Sequence, residues 1–307
     1  MSASFAKALE AADEAAGSQN HPTHTLYVVA TPIGNLADIS LRALYVLSKV
    51  DVVACEDTRH TQQLLRAYGL ERPGAQLLAV HQHNEAEAAQ SVIARLSEGA
   101  RVAYVSDAGT PAVSDPGARL VAAVRQAGWR VLPLPGASSV TTALSASGMT
   151  GEHGFVFAGF LPSKSGERQQ AVQQLAQESR AVVLLEAPHR IEALAQALAT
   201  LGERRITLGR ELTKQFEQIE TLNAAALPGW LAEKPDRQRG EFVLVVHPDE
   251  APATNDGLDA ETLRVLGLLL AELPLKTAVK VCADINGQSR NALYEAALAL
   301  RQERSDD

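Results

Sequence analysis

The chain has 307 residues, 46% of them hydrophobic and 21% charged, which is enough apolar material for two cores and excludes a disordered protein as the default. Its net charge of -8 would argue against a nucleic-acid partner, but residues 1–25, 249–261 and 301–307 carry all of it, and the remainder is neutral. Two cysteines, Cys55 and Cys282, cannot build a disulfide framework or a zinc quartet and fit a reducing, cytoplasmic setting.

The first 25 residues alternate alanine with polar side chains, contain no signal-like apolar core, and are expected as a disordered extension. The longest apolar run elsewhere, VLGLLLA, is too short to span a bilayer, so a soluble protein with no membrane partner is expected. From residue 26 aliphatic runs alternate with helix-length segments: 26–30, 50–55, 77–80, 101–106 and 129–134. Runs this apolar suit parallel strands covered on both faces, which makes 26–137 an α/β domain.

A second series, at 154–160, 181–187, 204–212 and 241–246, is separated by helical stretches at 167–178 and 189–201. It predicts a second α/β domain over 138–247, with the Gly-Ala-Ser segment at 136–139 as the joint. Residues 248–260 are rich in Pro, Asp and Ala and form a linker. Three helical patterns fill 261–301, with Pro274 and Asn286-Gly287 at their junctions, and the second and third have the look of a helix-turn-helix.

Three turns follow strands of the first domain, where open α/β sheets place ligands: ATPIGNLADIS at 30–40, SDAGTPAVSDPG at 106–117 and PLPGASSVTTAL at 133–144. Gly34, Gly109, Gly117 and Gly136 let backbone approach a ligand, while Asp107, Asp115, Thr31, Thr110, Ser114, Ser138 and Ser139 offer polar groups. None matches a dinucleotide fingerprint or a P-loop. His81 and His83 in HQHNE have metal-ligand chemistry, but with only Glu85 beside them no metal site is expected. Aromatics at 4% exclude a base-stacking platform of the single-strand-binding type.

The segments LYVVATPIGNLADIS, ACEDTRHTQQLL, VAYVSDAGTPAVSDPG, LPGASSVTTALSASG and GFLP together resemble the ribosomal RNA small subunit methyltransferase I family of the tetrapyrrole methylase superfamily. EAPHRI at 186–191, GRELTKQFE at 209–217, GEFVLVV at 240–246 and the helical tail extend the resemblance over about residues 25–300. It implies two α/β domains of the tetrapyrrole methylase type with a C-terminal helical tail, a homodimer, and S-adenosylmethionine held between the domains. It also implies methylation of the ribose 2′-hydroxyl of cytidine 1402 in 16S ribosomal RNA, in the small subunit or its precursor.

By that resemblance Asp107, Ala108, Gly109, Thr110, Pro111 and Ser138 would hold the donor from the first domain and its joint, with Thr31 and Gly34 added by the reading of the first turn. Leu185, Glu186, Ala187, Gly240 and Glu241 would hold it from the second. The reaction requires alignment of the ribose oxygen and disposal of its proton. Glu56, Asp57, Arg59 and Lys164 are the catalytic candidates, the acidic pair having a helix N-terminus as its alternative role. Arg168, His189, Arg190, Arg210 and Lys214 are candidate RNA contacts. A tetrapyrrole C-methyltransferase and a non-catalytic ribosome-assembly factor are the competing functions.

Overall fold

The computed structural model describes residues 5–81, 84–114, 116–149, 154–248, 258 and 260–303. Its contacts divide the chain into two units, Met1–Pro248 and Asp249–Asp307. Asp115, His83 and most of the linker lie outside the described residues.

The first unit opens with α1 (Ala6–Ala16), which corrects the expectation of a disordered extension. Its alanines are the reason: Ala12 and Ala16 are both buried, Ala12 has no bulk to hold the helix away from Leu44 and Tyr68, and Phe5 meets the Tyr68 ring edge-on at 4.9 Å. The first sheet follows, with β1 (Thr25–Val29), α2 (Leu41–Lys49), β2 (Val52–Cys55), α3 (Thr58–Ala67), β3 (Leu77–Ala79), α4 (Glu85–Ser97), β4 (Arg101–Val105), α5 (Ala118–Gln126) and β5 (Arg130–Leu134). Its order is β3-β2-β4-β1-β5 and every pair is parallel. Alternate residues serve opposite faces. Tyr27, Val29, Val53 and Val105 pack with Ala43, Val46 and Leu47 of α2, whereas Leu26, Val102 and Tyr104 pack with Val92 and Leu96 of α4 and Leu120 of α5. Cys55 is sealed into this sheet, and burial pushes its thiol up to about 11.

The second sheet comprises β6 (Phe155–Gly159), α7 (Ser165–Ala176), β7 (Ala181–Glu186), α8 (Ile191–Leu198), β8 (Arg205–Arg210), β9 (Gln218–Asn223), α9 (Leu227–Ala232) and β10 (Phe242–Val246), preceded by α6 (Ser139–Ala146). Its order is β6-β7-β10-β8-β9, parallel only between β6 and β7. Edge strand β9 carries QIETLN, half-exposed throughout and too polar to announce itself as a strand. One face packs on α8 through Ile191, Leu194 and Leu198. The other takes Val140 and Ala143 of α6, together with Ile33 from the loop after β1, so a residue of the first sheet's turn is built into the second sheet's core.

The second unit consists of α10 (Ala260–Glu272), α11 (Leu275–Asn286) and α12 (Arg290–Glu303) around Leu266, Val279, Cys282, Leu293 and Ala297. Among the described residues no helix is long and apolar enough to cross a membrane.

Candidate functional site

Because β4, β1 and β5 are neighbours, the three turns that follow them meet at one end of the sheet. Thr31 and Gly109 exchange backbone hydrogen bonds at 2.9 and 3.0 Å, and the Thr31 hydroxyl donates to Ser106 O at 3.2 Å. Thr110 Oγ1 donates to Ala137 O at 3.0 Å, which ties in the third turn. Gly109 has φ +80°, so a side chain there would be strained by conformation, and its Cβ would press on Ile33 at 3.3 Å.

A cavity of about 360 Å³ opens beside these turns within the first unit. Of the residues expected to hold a donor, Ala108, Gly109, Thr110, Ser138, Leu185, Glu186, Ala187 and Glu241 line it. Thr31, Gly34, Asp107, Pro111 and Gly240 do not. Thr31 braces Gly109, and Pro111 is buried. The Gly34 turn lies against 212–214, where the Asn35 N–H donates to Thr213 Oγ1 at 3.1 Å. Gly240 packs against Glu211. The sequence reading missed the apolar part of the lining, among it Ile33, Val113, Val140, Phe160, Phe242 and Val243. An apolar residue at a strand end looks the same in sequence whether it meets core or cavity.

Glu186 has a fully buried side chain at the end of β7. Its Oε1 accepts from the Ala187 N–H at 2.9 Å and lies 3.0 Å from Arg190 Nε in an ion pair without hydrogen-bond geometry. Its Oε2 is buried without a hydrogen-bond partner among the described residues. Glu186 belongs to the cavity wall, and its charge is met there by Arg190.

The acidic candidates gather at the ends of adjacent strands β2 and β4. Asp107 Oδ1 accepts from the Asp57 N–H at 3.2 Å, and Asp107 Oδ2 lies 3.9 Å from His60 Nδ1. Asp57 caps α3, accepting from the Arg59 and His60 N–H groups, and its contacts with Arg59 pull its carboxyl down to about 2. Asp57 and Arg59 are thus engaged with one another at a helix terminus. Glu56 is different: partial burial first, and then the Asp107 charge, raise its carboxyl above the usual range.

The basic candidates separate into two groups. Arg168 is 8% exposed and donates to Ser163 O, so it props its own loop and is not a surface contact. Arg190 pairs with Glu186 and donates to Leu161 O. Arg210 donates to Arg239 O and Phe216 O, and Lys214 bridges Glu211 and Glu241 at 2.9 Å each. Lys164, Arg59 and His189 face solvent. Among the described residues no three His, Cys, Asp or Glu side chains converge as a metal shell would. Glu85, the carboxylate next to the histidines, is occupied elsewhere: it accepts from the Gly117, Arg119 and Leu120 N–H groups at 2.9, 2.9 and 3.2 Å, at the start of α5.

Residues 25–228 match the family described as Tetrapyrrole (Corrin/Porphyrin) Methylases, and residues 256–301 match the RsmI C-terminal HTH domain. The Ribosomal RNA small subunit methyltransferase I of Pseudomonas aeruginosa is 49% identical over 276 residues, covering 89% of this chain and 96% of that protein. Among solved structures, the cobalt precorrin-4 methyltransferase CbiF aligns with a TM-score of 0.53 and 19% identity, over 72% of this chain and 94% of its own. A uroporphyrin-III C-methyltransferase from Thermus thermophilus, complexed with S-adenyl homocysteine, aligns with a TM-score of 0.50 and 18% identity, over 72% and 96%. Those two share the fold. With its two sheets, helical C-terminal unit and near full-length identity to these relatives, the chain belongs to the ribosomal RNA small subunit methyltransferase I family of tetrapyrrole methylases.

Proposed function

We propose that this protein methylates the ribose 2′-hydroxyl of cytidine 1402 in 16S ribosomal RNA, with S-adenosylmethionine as donor. The observation that carries the donor assignment is one cavity lined jointly by the 106–117 turn, Ser138, and the strand ends at 185–187 and 241–243, Glu186 among them. A ligand with hydroxyl or ammonium donors on an otherwise apolar body fits such a wall, which combines the backbone of 108–110 and Ser138 with Val140 and Phe242. The donor, when bound, supplies a methyl group already activated as a sulfonium. Glu186 would accept its hydrogen bonds, and the 108–110 backbone would fix its position.

Support for an RNA acceptor comes from the relatives' names and from the match of the C-terminal helices. Glu56 is the proton acceptor this reading favours, because its raised affinity for a proton suits removal of hydrogen from a weakly acidic hydroxyl. Asp107 links Glu56 to the cavity, since its carboxylate binds the Asp57 N–H and Ala108, next along the chain, lines the wall. Solvent-facing Arg59, Lys164 and His189 would meet phosphates. The test is transfer from tritiated donor to small subunits taken from cells lacking this protein. Label on one ribose is the expected result. Label in a porphyrin precursor would support the tetrapyrrole function, and no label would leave only binding.

A further inference from the structure

Phe160 stands apart from the rest of the cavity lining. Ile33, Val140, Phe242 and Val243 are between 2% and 8% exposed and make a floor, whereas Phe160 is 50% exposed and Val113 41%. Both rim residues are turned outward by unusual backbone. The β6–β7 pairing slips between Phe157 and Gly159, a bulge that re-aims the strand end, and Gly159 takes φ +64°. Beyond it Leu161 is buried, its carbonyl held by the Arg190 guanidinium. Phe160 is left between a bulge and a clamped residue. Across from it Ala112 and Ser114 have φ of +65° and +66°, conformations that cost a residue with a side chain, and Val113 lies between them. The two segments lie side by side, close enough that a Cβ at Gly159 would come within 3.4 Å of Ser114 Oγ.

We infer that Phe160, with Val113 beside it, is the platform on which the base of the acceptor nucleotide stacks while its ribose is methylated. This rests on the RNA methyltransferase reading. Site-specific recognition of RNA favours single-stranded nucleotides whose bases are splayed out, and an aromatic face replaces the stacking such a base has lost. The small donor has the buried floor to fill. The nucleotide arrives from solvent on a large particle and meets the rim first. Exposed Lys164, paired with Glu167, follows Phe160 by four residues, and exposed His189 adjoins Pro188 of the lining, so groups able to meet phosphate lie close in sequence to the rim. A single exposed ring accommodates one base, which suits a site specific for one nucleotide.

The experiment compares wild type with Phe160→Ala, Phe160→Leu and Phe160→Trp. It measures kcat and KM for unmodified small subunits, and donor Kd by calorimetry. Phe160→Ala should lower kcat/KM for subunits by roughly tenfold to a hundredfold. Donor Kd should stay unchanged, and Phe160→Trp should retain what Phe160→Leu loses. Phe160→Leu keeps apolar bulk and controls for folding. A parallel fall in donor affinity would place the adenine on the phenyl and overturn the inference, as would equal activity of the Leu and Trp variants. An active wild type with an unimpaired Phe160→Ala overturns the stacking alone, whereas a wild type that labels no RNA overturns the reading beneath it as well.

Discussion

Replacing Glu85 with alanine should destabilise the protein and loosen the donor turn together. One carboxylate oxygen receives three backbone N–H groups where the 106–117 turn passes into α5, and the Gly117 and Leu120 amides it serves are buried. Each buried amide stripped of its acceptor costs about 1–3 kcal/mol. Two such amides, together with the lost charge at a helix N-terminus, give about 3 kcal/mol after partial relaxation. For a unit of this size that lowers Tm by roughly 6–12 °C. Glu85→Gln keeps an acceptor oxygen and forfeits only the charge, so about 1 kcal/mol is expected. Tyr104 anchors the same turn through Pro116 O, so it should not unravel completely, and donor affinity should fall without vanishing. Thermal and urea unfolding with calorimetric donor titration measure all three effects. Glu85→Ala within about 0.5 kcal/mol of wild type, the scatter of an ordinary surface change, would refute the reasoning. Equal losses in the Ala and Gln variants would refute the part assigned to the remaining oxygen.

Glu186→Gln should weaken donor binding by about tenfold to a hundredfold, the worth of a hydrogen bond to a charged acceptor, and unchanged calorimetric affinity would remove Glu186 from the donor site. A base at Glu56 must be ionised, so kcat at saturating donor should fall as pH drops through its raised value. Asp107→Asn removes a like charge that holds that value up, and the acidic limb of the pH profile should move to lower pH. A limb that stays put or moves upward contradicts the assignment. Deleting residues 261–307, which have a core of their own, should reduce methylation of small subunits more than donor affinity. Parallel loss of both would make the helices part of the donor-binding fold.

Among the described residues nine of ten strands were visible as aliphatic runs, the six central ones because the sheets bury them on two faces, which leaves no polar alternation to confuse them. The tenth, β9, is a half-exposed edge, and its Gln, Glu, Thr and Asn residues read as loop. The helix at 6–16 was hidden because its interface is made of alanine, which composition alone does not distinguish from a polar tail. In the site, the turns rich in Gly, Ser and Thr were legible because backbone approach demands those residues. Charge proved less informative, since sequence counts arginines without showing their partners: Arg168, Arg190 and Arg210 spend their donors on carbonyls of their own chain. Phe160 gave no signal at all, for its exposure arises from a register shift that only the paired strands reveal.

The most direct test of the central claim is 2′-O-methyl mapping of small-subunit RNA from cells with and without this protein. Loss of the mark at cytidine 1402 alone, restored by the wild-type protein and not by Glu186→Gln at matched low donor supply, is the predicted result. An identical map in the two strains would contradict the claim.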